Sequence, residues 1–322
     1  MPQSDLPIEQ LRSYRSHTRA PADLADFWAG TLEESRRLGS PPVVHRLSTG
    51  LRLIDTDDVT FSGFDGHPIK AWFHRPAGQA QRLPVVVRYQ GYGCGRAAAH
   101  EVPVWTLAGY ACLDVDTRGQ GATYSTGDTP DPVGSDPSVP GFLTRGIRSR
   151  NTYYYRRVIT DSVLAVDAAK LLPGVDATRV AVAGASQGGG LAVAVAGLRD
   201  DLVAVVSDVP FLSDLRRASE IASRRPYTEL STYLSIHRAD VARVFDTLAY
   251  FDAAVLGRSA AAPAIFSVGL MDQVCPPSTV YAAYNAYAGP KQIEEYPYND
   301  HEGGAAHHQA VTLAWLNKIM AA

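Results

Sequence analysis

Cysteine is scarce and scattered. The three present, Cys94, Cys112 and Cys275, are odd in number and far apart, so they suggest neither a disulfide framework nor a metal-ligand spacing. Long apolar runs are missing as well: none reaches the roughly 18 residues that a membrane span needs. No basic cluster stands out, and the formal net charge is −3. Nucleic acid and a membrane surface are therefore not expected partners. The start, "MPQSDLPIEQ", lacks a basic n-region followed by an apolar stretch, which predicts no secretory signal. The expected setting is soluble and cytoplasmic. Repeats and low-complexity segments are lacking, and no Pro/Gly/Ser-rich linker divides the chain. It reads as one domain over residues 1–322.

What is present is an ordinary globular balance. The chain is 46% hydrophobic and 20% charged, with ample material for a core. Leu24, Phe27, Trp28, Thr31 and Leu32 recur at helical spacing within Pro21 to Arg37. "VTFSGFDGHPIKAWFHRP" alternates apolar and polar residues around a Gly-His-Pro break and predicts a hairpin. From residue 83, strands alternate with helices. "LPVVVRYQG", "YACLDVDTRG", "RVAVAGAS", "LVAVVSDVP", "PAIFSVGLMD" and "KQIEEYPY" read as six strands. "DSVLAVDAAKLL", "STVYAAYNAYAG" (with Ser278 as N-cap) and "AAHHQAVTLAWLNKIM" read as helices. Such alternation predicts an α/β fold, a mainly parallel sheet covered on both faces. Residues of about 1–50 form an N-terminal extension. Residues of about 213–250 break the rhythm and read as a helical cap inserted over one end of the sheet.

Gly184-Ala-Ser186-Gln-Gly188 matches G-x-S-x-G. The pattern is short, and a serine at a βα turn can simply cap a helix. Here a strand precedes it and a helix follows, the context in which the turn exposes a nucleophile at the sheet's carboxyl end. A serine hydroxyl needs a base, and the expected order is Ser, then Asp or Glu, then His. Four histidines follow Ser186. His237 falls in the inserted segment and reads as a surface residue, and His307 and His308 begin the last helix. His301, in the loop "YNDHEGG", lies where a base must reach the serine. The acid must orient the imidazole. Asp272 follows the fifth strand directly and is favoured over Asp208, its rival after the fourth, and over Asp300, adjacent to the histidine. Two oxyanion donors are needed. The N–H of Gln187, next to the serine, supplies one; Tyr92, in the glycine-rich "YQGYGCG", is the candidate for the other. Val274 and Cys275, after the acid, are candidate acyl-pocket residues, with ordinary packing as the alternative.

Together these segments resemble a known family. "GASQGG", "RGQG" (Arg118 to Gly121), "DHEGG" and "GLMDQVCPPSTVYAAYN" are similar to the acetyl xylan esterase / cephalosporin C deacetylase family, carbohydrate esterase family seven. "GFLTRGI", "TYYYRRVITD" and "DFWAGTLEESR" extend the resemblance over nearly the whole chain. It implies an α/β-hydrolase fold and a triad on Ser186, Asp272 and His301, with oxyanion donors at Tyr92 and Gln187. It also implies removal of acetyl groups from small acetylated substrates, such as xylo-oligosaccharides and cephalosporin C, without a metal or organic cofactor. A homo-oligomer, up to a hexamer, is implied as well. Two departures stand out: Gln90 where many members have His, and Gly121 where some have a second glutamine. Arg118 either braces the site or a subunit contact, or is a surface salt-bridge residue. A broader short-chain esterase, a transacylase, a peptidase or dienelactone-type hydrolase, and a non-catalytic binding protein are the rival readings.

Overall fold

The structure, a computed structural model, describes residues 3–321. The chain opens with α1 (Ile8–Ser13) and α2 (Leu24–Leu38), followed by β1 (Val43–Leu47), β2 (Ile54–Ser62) and β3 (Pro68–Pro76). Next come β4 (Leu83–Tyr89), α3 (Val104–Leu107) and β5 (Ala111–Val115). A long irregular stretch leads to α4 (Tyr154–Leu171), β6 (Val175–Ala185), α5 (Gln187–Leu198) and β7 (Ala204–Asp208). Four helices intervene: α6 (Leu215–Ile221), α7 (Tyr227–Ile236), α8 (Val241–Leu248) and α9 (Ala253–Leu256). The chain ends with β8 (Ala264–Gly269), α10 (Pro277–Ala286), β9 (Lys291–Tyr296) and α11 (Ala305–Met320).

All nine of these strands join one sheet in the order β1-β2-β3-β5-β4-β6-β7-β8-β9. The six from β5 to β9 run parallel, and β1, β2 and β3 add an antiparallel edge. Burial explains the near-continuous apolar strands: Val85, Val86 and Val87 are all fully buried, because helices cover both faces. Trp105 and Tyr110, with Leu316 and Met320 of α11, pack on one face. α2, α4, α5 and α10 contribute to the larger core on the other. α5 is apolar on nearly every side because it packs against β6, β7 and α9.

The expected hairpin is β2 and β3, with Phe61 opposite Ile69. The six expected parallel strands are all present, and residues 213–250 are helical. One strand is unexpected and one local expectation fails. β1 was not anticipated, because a five-residue edge strand with most of its side chains exposed carries almost no apolar pattern. Ser278 is not the N-cap of α10: Pro276 holds that position, and Pro277 begins the helix. The Ser278 N–H is instead taken by the Asp5 carboxylate at 2.6 Å, so the chain's own N-terminal segment caps this helix. Among the described residues, no helix is long and apolar enough to cross a membrane.

Candidate active site

Ser186 sits between β6 and α5 with φ 56° and ψ −117°, a conformation that costs a non-glycine residue of order 1–3 kcal/mol. The surroundings enforce it. Its N–H donates to the Asp208 carbonyl (2.8 Å), and its carbonyl accepts from Phe211 (2.9 Å) and Gly190 (3.0 Å). The turn is too tight for side chains at the flanking glycines. A Cβ on Gly188 would lie 2.2 Å from the Tyr89 carbonyl oxygen, and one on Gly184 would lie 2.3 Å from the Gly188 carbonyl carbon. The glycine pattern is thus the steric condition for a half-buried serine to face a cavity.

His301 is on the loop between β9 and α11. Its Nδ1 donates to Asp272 Oδ2 at 2.8 Å, which leaves Nε2 of the neutral ring free to accept a proton. Asp272 is 1% exposed, and its other oxygen accepts the N–H groups of Val274 (2.7 Å) and Cys275 (2.9 Å). A buried carboxylate with three donors cannot turn away from the imidazole. Ser186 and His301 line the same cavity, of about 780 Å³. Val274 lines it too, whereas Cys275 lies fully buried behind it, with its thiol against the Ser186 side chain. Burial, and then the charge of Asp272, push that thiol well above its usual range.

The rival residues have other partners. Asp300 accepts from Arg224 (2.7 Å) and from the Gln273 N–H (3.1 Å). His237 packs at a tilt against the Tyr233 ring and meets Arg148, and His307 is exposed. Asp208 and His308 find each other: His308 Nε2 donates to Asp208 Oδ1 at 2.8 Å, and Nδ1 meets the Tyr296 hydroxyl at 2.9 Å. This second histidine–carboxylate pair borders a separate cavity of about 490 Å³ on the other side of His301.

The backbone N–H groups of Tyr92 and Gln187 have no acceptor among the described residues, as an oxyanion hole requires. A buried amide network fixes the two segments relative to each other. Gln120, fully buried, accepts the Gly93 N–H (2.7 Å) and donates to Gln187 Oε1 (2.9 Å) and to the Tyr154 hydroxyl (3.1 Å). Gln187 Nε2 returns to the Gln90 carbonyl (3.2 Å), and Tyr155 donates to Gln187 Oε1 (2.9 Å). The Tyr92 hydroxyl donates to Glu229 of α7 (2.7 Å) and accepts from Phe142 (2.8 Å) and Leu143 (3.1 Å). Burial raises the Glu229 carboxyl above its ordinary range.

Sequence reasoning did not find Gln120, Tyr154, Tyr155 or Glu229. Three of them fall in the quoted segments "RGQG" and "TYYYRRVITD", but their roles depend on partners at least 27 positions away. The two departures are local matters. The Gln90 side chain donates to Asp114 (2.6 Å). Gly121 has φ +104°, and a Cβ there would lie 2.2 Å from the Gly127 nitrogen, so a glutamine could not fit. Arg118 is no surface residue: it is fully buried and holds Asp161 with two nitrogens (2.5 and 2.7 Å).

Comparison with known proteins points to one family. The family described as acetyl xylan esterase (AXE1) matches residues 1–319. The acetyl xylan esterase from Paenibacillus sp. R4 superposes with a TM-score of 0.89 at 34% identity, covering 97% of this chain and 99% of that one. Acetyl xylan esterase 1 from Thermoanaerobacterium sp. JW/SL YS485 gives 0.89 at 30% identity, over 98% and 99%. The acetyl esterase Axe7A of Xylanibacter ruminicola is 26% identical over 316 residues, 94% of this chain and 68% of that protein.

Proposed function

The chain belongs to the acetyl xylan esterase family, and on that premise we propose that Ser186, His301 and Asp272 carry out a two-step acyl transfer that removes acetyl groups from small acetylated substrates. The fold is that of the α/β-hydrolases, and the enzyme is a carboxylic ester hydrolase. One observation carries the residue assignment: a buried carboxylate orients an imidazole, at 2.8 Å, in the cavity that Ser186 lines.

In the first step His301 Nε2 takes the Ser186 proton as Oγ attacks the acetyl carbonyl. The N–H groups of Tyr92 and Gln187 hold the developing oxyanion, and Asp272 stabilises the imidazolium. His301 then gives its proton to the departing alcohol, leaving an acetyl-enzyme. Water, deprotonated by the same imidazole, releases acetate and restores the serine. Val274 bounds the space for the acyl methyl group. Acetylated xylo-oligosaccharides and cephalosporin C-like acetates are the substrates this reading puts first.

The test is hydrolysis of p-nitrophenyl esters from acetate to octanoate, with Ser186→Ala as control. The expected profile is strong on acetate, falls steeply by butyrate and vanishes in the variant. A flat or long-chain profile would overturn the acetyl preference and leave a broader esterase. Full activity in Ser186→Ala would overturn the residue assignment.

A further inference from the structure

The cavity at Ser186 has room for far more than an acetyl group. Volumes of about 300–1,000 Å³ hold a drug-sized ligand, and this one is about 780 Å³. Most of it must receive the alcohol side of the ester. The charge of its walls therefore selects the alcohol.

That charge is lopsided. Among the described residues lining the cavity there is no Asp or Glu, but there are two arginines, Arg224 and Arg225. The chain as a whole carries a net −3, so the wall runs against the average surface. Arg224 is neutralised by Asp300 at 2.7 Å. Arg225 is different. It is exposed, and no hydrogen bond, ion pair or ring contact ties it to any described residue. Its positive charge favours ionisation of Glu229, but Arg225 makes no ion pair with that carboxylate, which the Tyr92 hydroxyl holds through Oε2 and which does not line the cavity. The other walls are largely apolar or neutral, including Val139, Pro140, Pro226 and an exposed Tyr124. A cleft with apolar walls and charge of one sign focuses its field on an incoming ligand. A guanidinium in that position matches the planar fork of a carboxylate.

We propose that Arg225 forms an anion subsite at the mouth of the cavity, and that the favoured esters are acetates of alcohols bearing a carboxylate, such as oligosaccharides carrying a uronic acid. This rests on the ester-hydrolase reading above. The acetyl group enters at Ser186 and the carboxylate of the same molecule pairs with Arg225, so the subsite acts on binding and leaves the chemical step alone.

The experiment compares two acetyl esters that differ in charge, 4-acetoxybenzoate and its methyl ester. Each is assayed with the unaltered chain and with Arg225→Gln and Arg225→Lys. Intrinsic differences between the leaving groups cancel when the ratio of kcat/KM values is compared across variants. The expected result is a fall of up to about fivefold in the anionic-to-neutral ratio for Arg225→Gln, the upper end for an exposed ion pair. The fall comes through KM for the anionic ester, with the neutral ester unchanged and part of the ratio kept in Arg225→Lys. Raising the salt from 50 to 500 mM should lower the ratio in the unaltered chain and leave Arg225→Gln flat. An unchanged ratio in Arg225→Gln overturns the subsite. So does an equal loss on both esters, which would assign Arg225 a structural role. No hydrolysis of either ester by the folded, unaltered chain would overturn the ester-hydrolase reading itself, a result separate from a change in the ratio.

Discussion

Replacing Arg118 by alanine should destabilise the fold more than almost any other polar substitution in the chain. The guanidinium is 0% exposed. Two of its nitrogens grip both oxygens of Asp161, and the third approaches Asp131 at 3.5 Å and His67 at 3.2 Å. Asp161 keeps one other donor, the Phe64 N–H at 2.8 Å, and Asp131 keeps Arg157 at 2.6 Å. The loss therefore falls mainly on Asp161, whose carboxyl burial already pushes up. Removing one partner of a buried pair costs about 3–5 kcal/mol. At about 2–3 °C per kcal/mol for a chain of this size, the thermal midpoint should drop by roughly 6–15 °C. Calorimetry or circular dichroism at pH 7.5 measures it. Arg118→Met keeps the stem volume and should lose nearly as much, because the cause is a stranded charge and not a cavity. Adding Asp161→Asn to Arg118→Met should recover part of the loss, since the buried charge then disappears. A loss below about 1 kcal/mol in Arg118→Ala would refute the reasoning, and so would a double variant less stable than Arg118→Met alone.

Two further outcomes follow from local geometry. Ser186→Gly should be more stable than Ser186→Ala by about 1 kcal/mol and melt correspondingly higher, because glycine accepts φ 56° without strain and alanine does not; equal melting points would mean that the elbow stores no strain. Asp252, 1% exposed and held by the N–H groups of Asp214, Leu215 and Ala254, has its carboxyl pushed up to about 7 by burial and then by the charge of Asp214. The native state therefore keeps a proton that the unfolded chain loses near pH 4. The contribution of Asp252 to stability should fall as pH rises from about 4 to 7 and level off above that. Urea midpoints over this range should show a smaller fall for Asp252→Asn, and parallel curves for the two proteins would contradict the assignment.

Much of the architecture was legible because the physics behind it is local. Parallel strands buried on both faces must be apolar nearly throughout, so "PVVV" and "AIFSVG" announce themselves. A nucleophile at a strand–helix turn needs glycines on either side, and Gly184 and Gly188 supply them. What escaped was relational. Asp208 and His308 each rival a triad member in the sequence, but nothing in a span of 100 positions says that they pair with each other. Glu229 looks like any helix glutamate until Tyr92, 137 positions away, is placed against it. β1 was silent because its side chains mostly face solvent. The N-cap of α10 was misread because its donor is satisfied from Asp5, at the other end of the chain.

The Asp208–His308–Tyr296 chain has a mechanical consequence. Asp208 offers its carbonyl to the Ser186 N–H and its carboxylate to His308, at 2.8 Å each. His308 fixes the first turn of α11, and Tyr296 fixes the end of β9, so together they clamp both ends of the loop that carries His301. Serine and histidine thus share one anchor. Proton transfer depends on the gap between them, where an error of about 1 Å can cost a hundredfold. A displacement of the β7 end should therefore carry both residues with it. The shared part of such a displacement drops out of their separation, as a disturbance common to both inputs drops out of a differential amplifier.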